Sequence, residues 1–569
     1  MSDENRQLHD QQREAAEAPD PVIAVLAGPG SGKTRTLSAR ARWLLLQDHG
    51  SHALLLTFMN KAAAEMKARA LTGAPFSPDR VWAGTFHAFC AKLLRDHHEL
   101  AGLAADFDVL DAEDAKELAA CAGGSSSDLS TYDRLRSTRQ PSLPRLEQFI
   151  AAYERDKADE NTVDFTDLVV KGAEVLESHV DLASAYGQRY RHLLIDEFQD
   201  TDAARFAIVR ALAPHVATIS MFADDDQAIM SFAGADRGNV DRFVAELNAR
   251  RIPLTVNYRS REAIVDVANR LIAADPTASG RAMHADRPAG RIEALSFFDE
   301  QDEAAGVVDL INDRLGEREL EDIVVLARTG YRADAVAAGL VTAGIPLSDW
   351  RGDIIDGRAR RTVAACMSVL RPRIAGRHEV LLCDLANRES TRLSDTTAVL
   401  ESLSDHRVGE ALSEFRQAAF AGAGVVEVVT IVAALVEEQR PRLAGDVGRL
   451  REAVVAFTEH DPNFSLEHLL TELALGAGGQ APTSGGGVKV ATLHRTKGLQ
   501  WPVVVVIGME DGCLPDYRAN NAPLLSEERR LCFVGVSRAE DELWLTRAQR
   551  THGWRRMPSR FLAEMGLCA

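Results

Sequence analysis

The sequence predicts an α/β protein made of two domains with parallel sheets, each carrying a mainly helical insertion. Three observations carry this. Short apolar runs recur at Pro21–Leu26, Ala53–Thr57, His192–Ile195, Ile323–Ala327 and Val503–Ile507, the pattern of strands buried on both faces. Stretches with helical periodicity separate these runs, and strands alternating with helices build parallel sheets. The 569 residues also exceed what one hydrophobic core organises.

Two regions break the strand–helix rhythm. From Glu99 to about Gly187 the chain is helical and polar, interrupted by Gly-Gly-Ser-Ser-Ser at Gly123–Ser127. From Ile355 to about Leu475 it reads as mostly helix and closes on a Gly-rich connector, Gly476–Gly487. The expected division is one α/β domain over 1–95 and 188–255 with an insertion at 96–187. A second α/β domain follows over 256–354 and 488–569, with a short insertion at 355–487.

Composition sets the class. Lys and Arg number 65 against 84 Asp and Glu, a net charge of −19. That excludes a broadly basic surface, so a nucleic-acid partner would have to be held by specific contacts in one groove. The seven cysteines form no C-x-x-C pair, which points away from zinc, iron–sulfur and disulfide frameworks. Met1–Asp20 has no apolar signal core, and no apolar run is long enough for a bilayer. The expected location is the cytoplasm.

The first apolar run ends in Ala27-Gly28-Pro29-Gly30-Ser31-Gly32-Lys33-Thr34. Glycines at this spacing let backbone N–H groups curl around phosphates at the start of a helix. Lys33 would reach the β- and γ-phosphates, and Thr34 would hold Mg²⁺. Such a P-loop needs a carboxylate pair at the end of another strand, and Asp196-Glu197 follows His192–Ile195. Asp196 would hold the metal, and Glu197 would orient and deprotonate the attacking water. ATP and Mg²⁺ are the implied ligands.

Asp196-Glu197-Phe198-Gln199-Asp200-Thr201 is more specific than a generic acidic pair. With the P-loop it resembles the UvrD/PcrA/Rep family of superfamily 1 DNA helicases, and the likeness runs through nearly the whole chain in the family's order. LHDQQREAA (Leu8–Ala16) resembles the Q motif, with Gln12 at the adenine-reading position. LLLTFMNKAAAEMKAR (Leu54–Arg69) resembles motif Ia, followed by GTFHAFC (Gly84–Cys90) and DFTDL (Asp164–Leu168). ADDDQAIMSFAGA (Ala223–Ala235) looks like motif III and NYRS (Asn257–Ser260) like motif IV. TLHRTKGLQW (Thr492–Trp501), EERRLCFVGVSRA (Glu527–Ala539) and PSRFLAE (Pro558–Glu564) are similar to motif V, motif VI and the closing segment.

The resemblance implies two RecA-like P-loop domains with ATP between them. Arg259 and Arg538 would then neutralise charge on the γ-phosphoryl, and Gln227 would couple cleft closure to hydrolysis. Tyr258 and Arg35 would sandwich the adenine, and Gln500 stands where the family has a glutamate near the ribose. Phe58, Asn60, Thr85, His87, Phe232, Thr492 and His494 match the DNA-contacting positions, where stacking tolerates any base. Motif III departs at Met230 and Ala233, where the family has an aromatic and an arginine. The departure predicts weaker stimulation of the ATPase by DNA.

The implied activity is 3′→5′ translocation on single-stranded DNA with duplex unwinding, in repair, recombination or replication restart. Single-stranded DNA and junctions are the implied partners, with a loading factor or a nuclease as possible protein partners. The competing reading is an ATPase subunit that serves a partner nuclease, as in phage defence. The region over 355–487 is short for the family's second insertion, and no nuclease motif follows motif VI.

Overall fold

A computed structural model describes residues 8–231, 234–348, 357–460, 469 and 486–567. Phe232, Ala233 and most of the Gly-rich connector lie outside the described residues. The chain forms two compact units, one of Met1–Thr85, Val180–Trp350 and Thr483–Ala569, the other of Phe86–His179 and Arg351–Pro482. No helix among the described residues is long and apolar enough to cross a membrane.

In chain order the strands begin β1 (Val22–Ala27), β2 (Ala53–Thr57), β3 (Val81–Thr85), β4 (Asp108–Val109), β5 (Thr162–Val163), β6 (His192–Ile195), β7 (Thr218–Ala223) and β8 (Arg250–Leu254). They continue with β9 (Val256–Arg261), β10 (His284–Arg287), β11 (Arg291–Asp299), β12 (Ile323–Ala327), β13 (Lys489–Thr492), β14 (Trp501–Val506), β15 (Ala539–Thr551) and β16 (Trp554–Arg555). The apolar runs read from the sequence are β1, β2, β6, β12 and β14, each within a residue or two of its predicted ends.

The first unit holds two large sheets, parallel along the orders β3-β2-β6-β7-β1-β8 and β11-β15-β14-β12-β13, with β16 antiparallel to β15 and a separate parallel pair β9–β10. Each sheet is covered on both faces, which is why its central strands are apolar throughout rather than alternating. On β12, Val324 and Leu326 join a core with Leu271 and Leu531. Ile323, Val325 and Ala327 face the opposite way into a separate core with Val336 and Leu340. In the first sheet Ile23, Val25 and Ala27 of β1 bury against Leu37, Ala41 and Leu44 of the helix Lys33–Gln47.

One buried arginine ties the N-terminal segment to this layer. Arg40 donates to Ser220 Oγ at 2.5 Å and to the Ala15 and Ala18 carbonyls at 3.2 and 3.0 Å. Burial depresses its pKa to about 10, yet it stays charged.

Among its described residues the second unit is helical apart from the two-residue parallel pair β4–β5. Gly123 leaves one helix in the left-handed region, and Ser125 caps the next, Ser126–Ser137. The Gly-Ser stretch is thus a stop followed by a start. Both insertions contribute to this unit and meet through ions. Asp108 accepts from Arg371 at 2.9 Å and from Arg377 at 2.6 Å, and Arg377 also reaches Glu160 at 2.9 Å.

Candidate functional site

The carboxyl ends of β1, β6 and β7 converge in the first unit, the place where open parallel sheets bind ligands. After β1 the chain turns through Ala27, Gly28, Pro29, Gly30, Ser31 and Gly32, with Gly30 and Gly32 at φ of 70° and 81°. Both positions also require the missing Cβ. One on Gly30 would lie 2.4 Å from Asn257 Oδ1, and one on Gly32 2.5 Å from Gln12 Nε2. Ser31 Oγ donates to the Gly28 carbonyl at 2.7 Å and closes the turn. Lys33 and Thr34 open the following helix, so the N–H groups of its first turn stand at the loop.

Lys33 Nζ lies 3.7 Å from Asp224 Oδ2 and 3.4 Å from the Ala27 carbonyl. Asp196, at the end of β6, is buried, and its Oδ1 accepts from Glu197 N–H at 3.0 Å. Burial and the neighbouring Glu197 push Asp196 up to about 7. Burial pushes Glu197 the same way, but Lys33 and Lys497 hold it down at about 2. Glu197 itself sits at φ 49°, left-handed backbone that a non-glycine residue adopts only under constraint.

A buried chain of hydrogen bonds runs from Glu197 to the second sheet's domain. Gln199 Nε2 donates to Glu197 Oε2 at 2.5 Å, and Gln199 Oε1 accepts from Asp224 N–H at 3.0 Å. Gln227 Nε2 donates to Asp224 Oδ2 at 2.5 Å, and Arg538 Nη2 donates to Gln227 Oε1 at 2.8 Å. Burial, then Arg259, lowers the Arg538 pKa to about 9. Arg259 is likewise lowered by burial, is raised by Glu540 and Glu197, and donates through Nη1 to the Ser537 carbonyl at 3.2 Å. Its Nε is buried with no hydrogen bond.

Two residues expected on the base side have contacts of their own. The Gln12 amide is engaged at both ends, donating to the Ser31 carbonyl at 2.8 Å and accepting from His9 N–H at 3.3 Å. Gln12 therefore braces the loop that would hold the phosphates. Tyr258 N–H donates to the Gly30 carbonyl at 2.9 Å, and its ring carries His9 stacked at 4.2 Å and 24°. One face of Tyr258 thus has a partner that the motif reading did not supply. Arg35 lies on the P-loop helix beside Gly32, while Gln500 is exposed.

Five of the residues matched to DNA contact sit at strand carboxyl ends, and Phe232 lies outside the described residues. Phe58 and Asn60 follow β2, Thr85 ends β3, and Thr492 and His494 stand at the end of β13. Arg205 lies over the Phe58 ring, 5.4 Å from its centroid. His87 belongs to the second unit, edge-on to Phe165 at 5.8 Å. Met230 packs against the core of the second sheet, so it fills an apolar position rather than a base pocket.

Sequence reasoning passed over Gln199, Asp224, Lys497 and Arg281. Arg281 stands 3.9 Å from both Asp224 and Asp225, and its Nε and Nη2 are buried without hydrogen bonds. Asp224 lay within the acidic run of motif III, where three successive aspartates gave no way to choose among them.

Converging cations and carboxylates around a glycine-shaped cradle, completed by Arg259 of β9 and by Arg538 just before β15, define the site of a P-loop nucleoside triphosphatase. The sequence comparisons give the family. The profile of the UvrD/REP helicase N-terminal domain matches residues 8–131 and 122–248, and that of the UvrD-like helicase C-terminal domain matches 252–351 and 430–550. The chain belongs to the UvrD/REP helicase family. It is 32% identical to DNA helicase II of Salmonella typhimurium and 31% to DNA helicase II of Escherichia coli, over 98% of this chain and 87% of each relative. Identity to ATP-dependent DNA helicase UvrD1 of Mycobacterium tuberculosis is 29%, over 98% of this chain and 85% of the relative.

Proposed function

We propose that the chain is an ATP-dependent DNA helicase that moves 3′→5′ on single-stranded DNA and separates the duplex ahead, serving repair, recombination or replication restart. The observation that carries this reading is the buried hydrogen-bond chain from Glu197 through Gln199, Asp224 and Gln227 to Arg538. A base in one domain and an arginine in another respond to one event only if the cleft between them closes. That is the requirement of a motor rather than of a phosphate-binding scaffold.

The residues divide the work. P-loop N–H groups and Lys33 bind the phosphates, Glu197 accepts the proton of the attacking water, and Arg259 and Arg538 offset charge on the γ-phosphoryl. The donor set fits Mg²⁺. Thr34 and Asp196 would hold it beside the phosphates, and an Asp196 carboxyl raised by burial gains from a cation at that point. When bound, the metal supplies charge neutralisation across the phosphates. Phe58, Asn60, Thr85, Thr492 and His494 of the first unit provide the track.

Strand displacement by the purified chain on 3′-tailed, 5′-tailed and blunt duplexes tests the reading. Unwinding of the 3′-tailed substrate alone supports it. ATP hydrolysis with no displacement of any substrate would overturn it.

A further inference from the structure

Lys497, which with Lys33 holds Glu197 down, also joins two segments of the site. It ends the turn Leu493–Thr496 that follows β13, five places beyond Thr492 in the sequence. Its ammonium donates to Asp200 Oδ2 at 2.5 Å and to the Gln227 carbonyl at 2.9 Å. Asp200 closes the short helical turn Phe198–Asp200 that Glu197 caps, and its N–H donates to the Glu197 carbonyl at 3.0 Å. Its other oxygen, Oδ1, is buried with no hydrogen bond. Asp200 is 7% exposed, and among the described residues its ion pair is with Lys497, which arrives from the other domain.

The next residue, Gly498, meets the first domain's candidate DNA segment. A Cβ on Gly498 would lie 3.7 Å from Met59 Sδ, and Met59 stands between Phe58 and Asn60. The turn after β13 therefore touches the loop after β2 with Gly498 and the acidic turn beside Glu197 with Lys497. A displacement of this turn must move the ammonium relative to Asp200. Taking one partner from a buried ion pair leaves an uncompensated charge, so the pair forms in one cleft arrangement and opposes others.

We infer that Lys497 is a positioning residue that transmits DNA occupancy at Thr492 and His494 to the hydrolytic acids through its pairing with Asp200 and the Gln227 carbonyl. The inference rests on the proposal that single-stranded DNA is the track. A lysine suits the task because one compact charge on a flexible stem can be made or broken by a small shift.

ATP hydrolysis by the full chain, with Mg²⁺ and with or without oligo(dT), tests this in Lys497→Met, Lys497→Arg, Asp200→Asn and the double variant Lys497→Met/Asp200→Asn. The stimulation of kcat by DNA should fall about tenfold in Lys497→Met, with KM for ATP changed less than about twofold. Lys497→Arg should recover part of it. Asp200→Asn should reproduce the loss, and the double variant should be no worse than either single one, since the two act as a unit. Stimulation in Lys497→Met within about twofold of the unsubstituted chain, equal loss with and without DNA, or additive losses in the double variant would overturn the inference. No stimulation in the unsubstituted chain would instead sink the DNA-track reading, and the inference with it.

Discussion

Lys33 and Lys157 are both lysines set among carboxylates, one in each unit, and their surroundings differ in kind. Lys157 is 3% exposed and holds Glu154, Asp164 and Asp167 at 2.8, 2.9 and 2.6 Å. Burial alone would lower its pKa, but Asp164 and Asp167 outweigh that and drive it far above the ordinary lysine range. Around Lys33 the nearest carboxylate oxygen is 3.7 Å away, and nearby Arg259 Nε, Arg281 Nε and Asp200 Oδ1 lack hydrogen bonds. A saturated cluster has spent its charge on the fold, whereas an unsaturated one keeps charge for a ligand. Removal of each lysine should therefore fail in a different way.

The largest effect is expected at the cleft's far side. Arg538→Ala should lower kcat for ATP about 10³-fold or more, and Gln227→Ala combined with it should add little, because both sit on one chain of hydrogen bonds. A product of the two single losses in steady-state assays would break that chain as a functional unit. Lys33→Ala should lower hydrolysis about 10²–10³-fold while thermal unfolding moves by only a few degrees. Lys157→Met should do the reverse, costing about 3–5 kcal/mol of stability in urea titration while leaving nucleotide binding by the folded fraction in place. If both variants lost stability equally, the contrast between the two lysines would be wrong.

Protonation sharpens the comparison further. Burial, then Arg377, depresses His378 in the second unit to about 3. The unfolded chain's histidine takes up a proton below about 6.5, so His378 contributes a stability loss as pH falls from there toward 3. Relative to His378→Leu, the unsubstituted chain should therefore weaken on acidification across that window, and unfolding midpoints at several pH values would show it. The smallest effect is expected at Gln12. Its replacement by Ala removes about 1 kcal/mol of bracing from the P-loop, raising KM for ATP several-fold with little change in kcat. An unchanged KM would leave Gln12 with neither a bracing nor a base-reading role.

Much of this molecule was legible in its sequence, and the reason is local. The runs that became β1, β2, β6, β12 and β14 are apolar because both faces of each sheet are covered. The P-loop and Asp196-Glu197 announce themselves because strand, turn and acid are contiguous. What stayed hidden depends on which loops meet. Gln199 and Asp224 are 25 places apart and matter through the hydrogen bond between them. Lys497 is remote in sequence from Asp200, and no periodicity marks such a pair. His9 on Tyr258 and the ion cluster that unites the two insertions were hidden for the same reason.

Glu197 sits at φ 49°, on backbone that glycine would adopt without cost. Selection for thermal robustness alone would therefore favour Glu197→Gly, which relaxes the turn and deletes the proposed base in one step. Laboratory evolution of a hardier variant of this chain would need an activity screen beside every heat challenge, because at this residue durability and turnover pull in opposite directions.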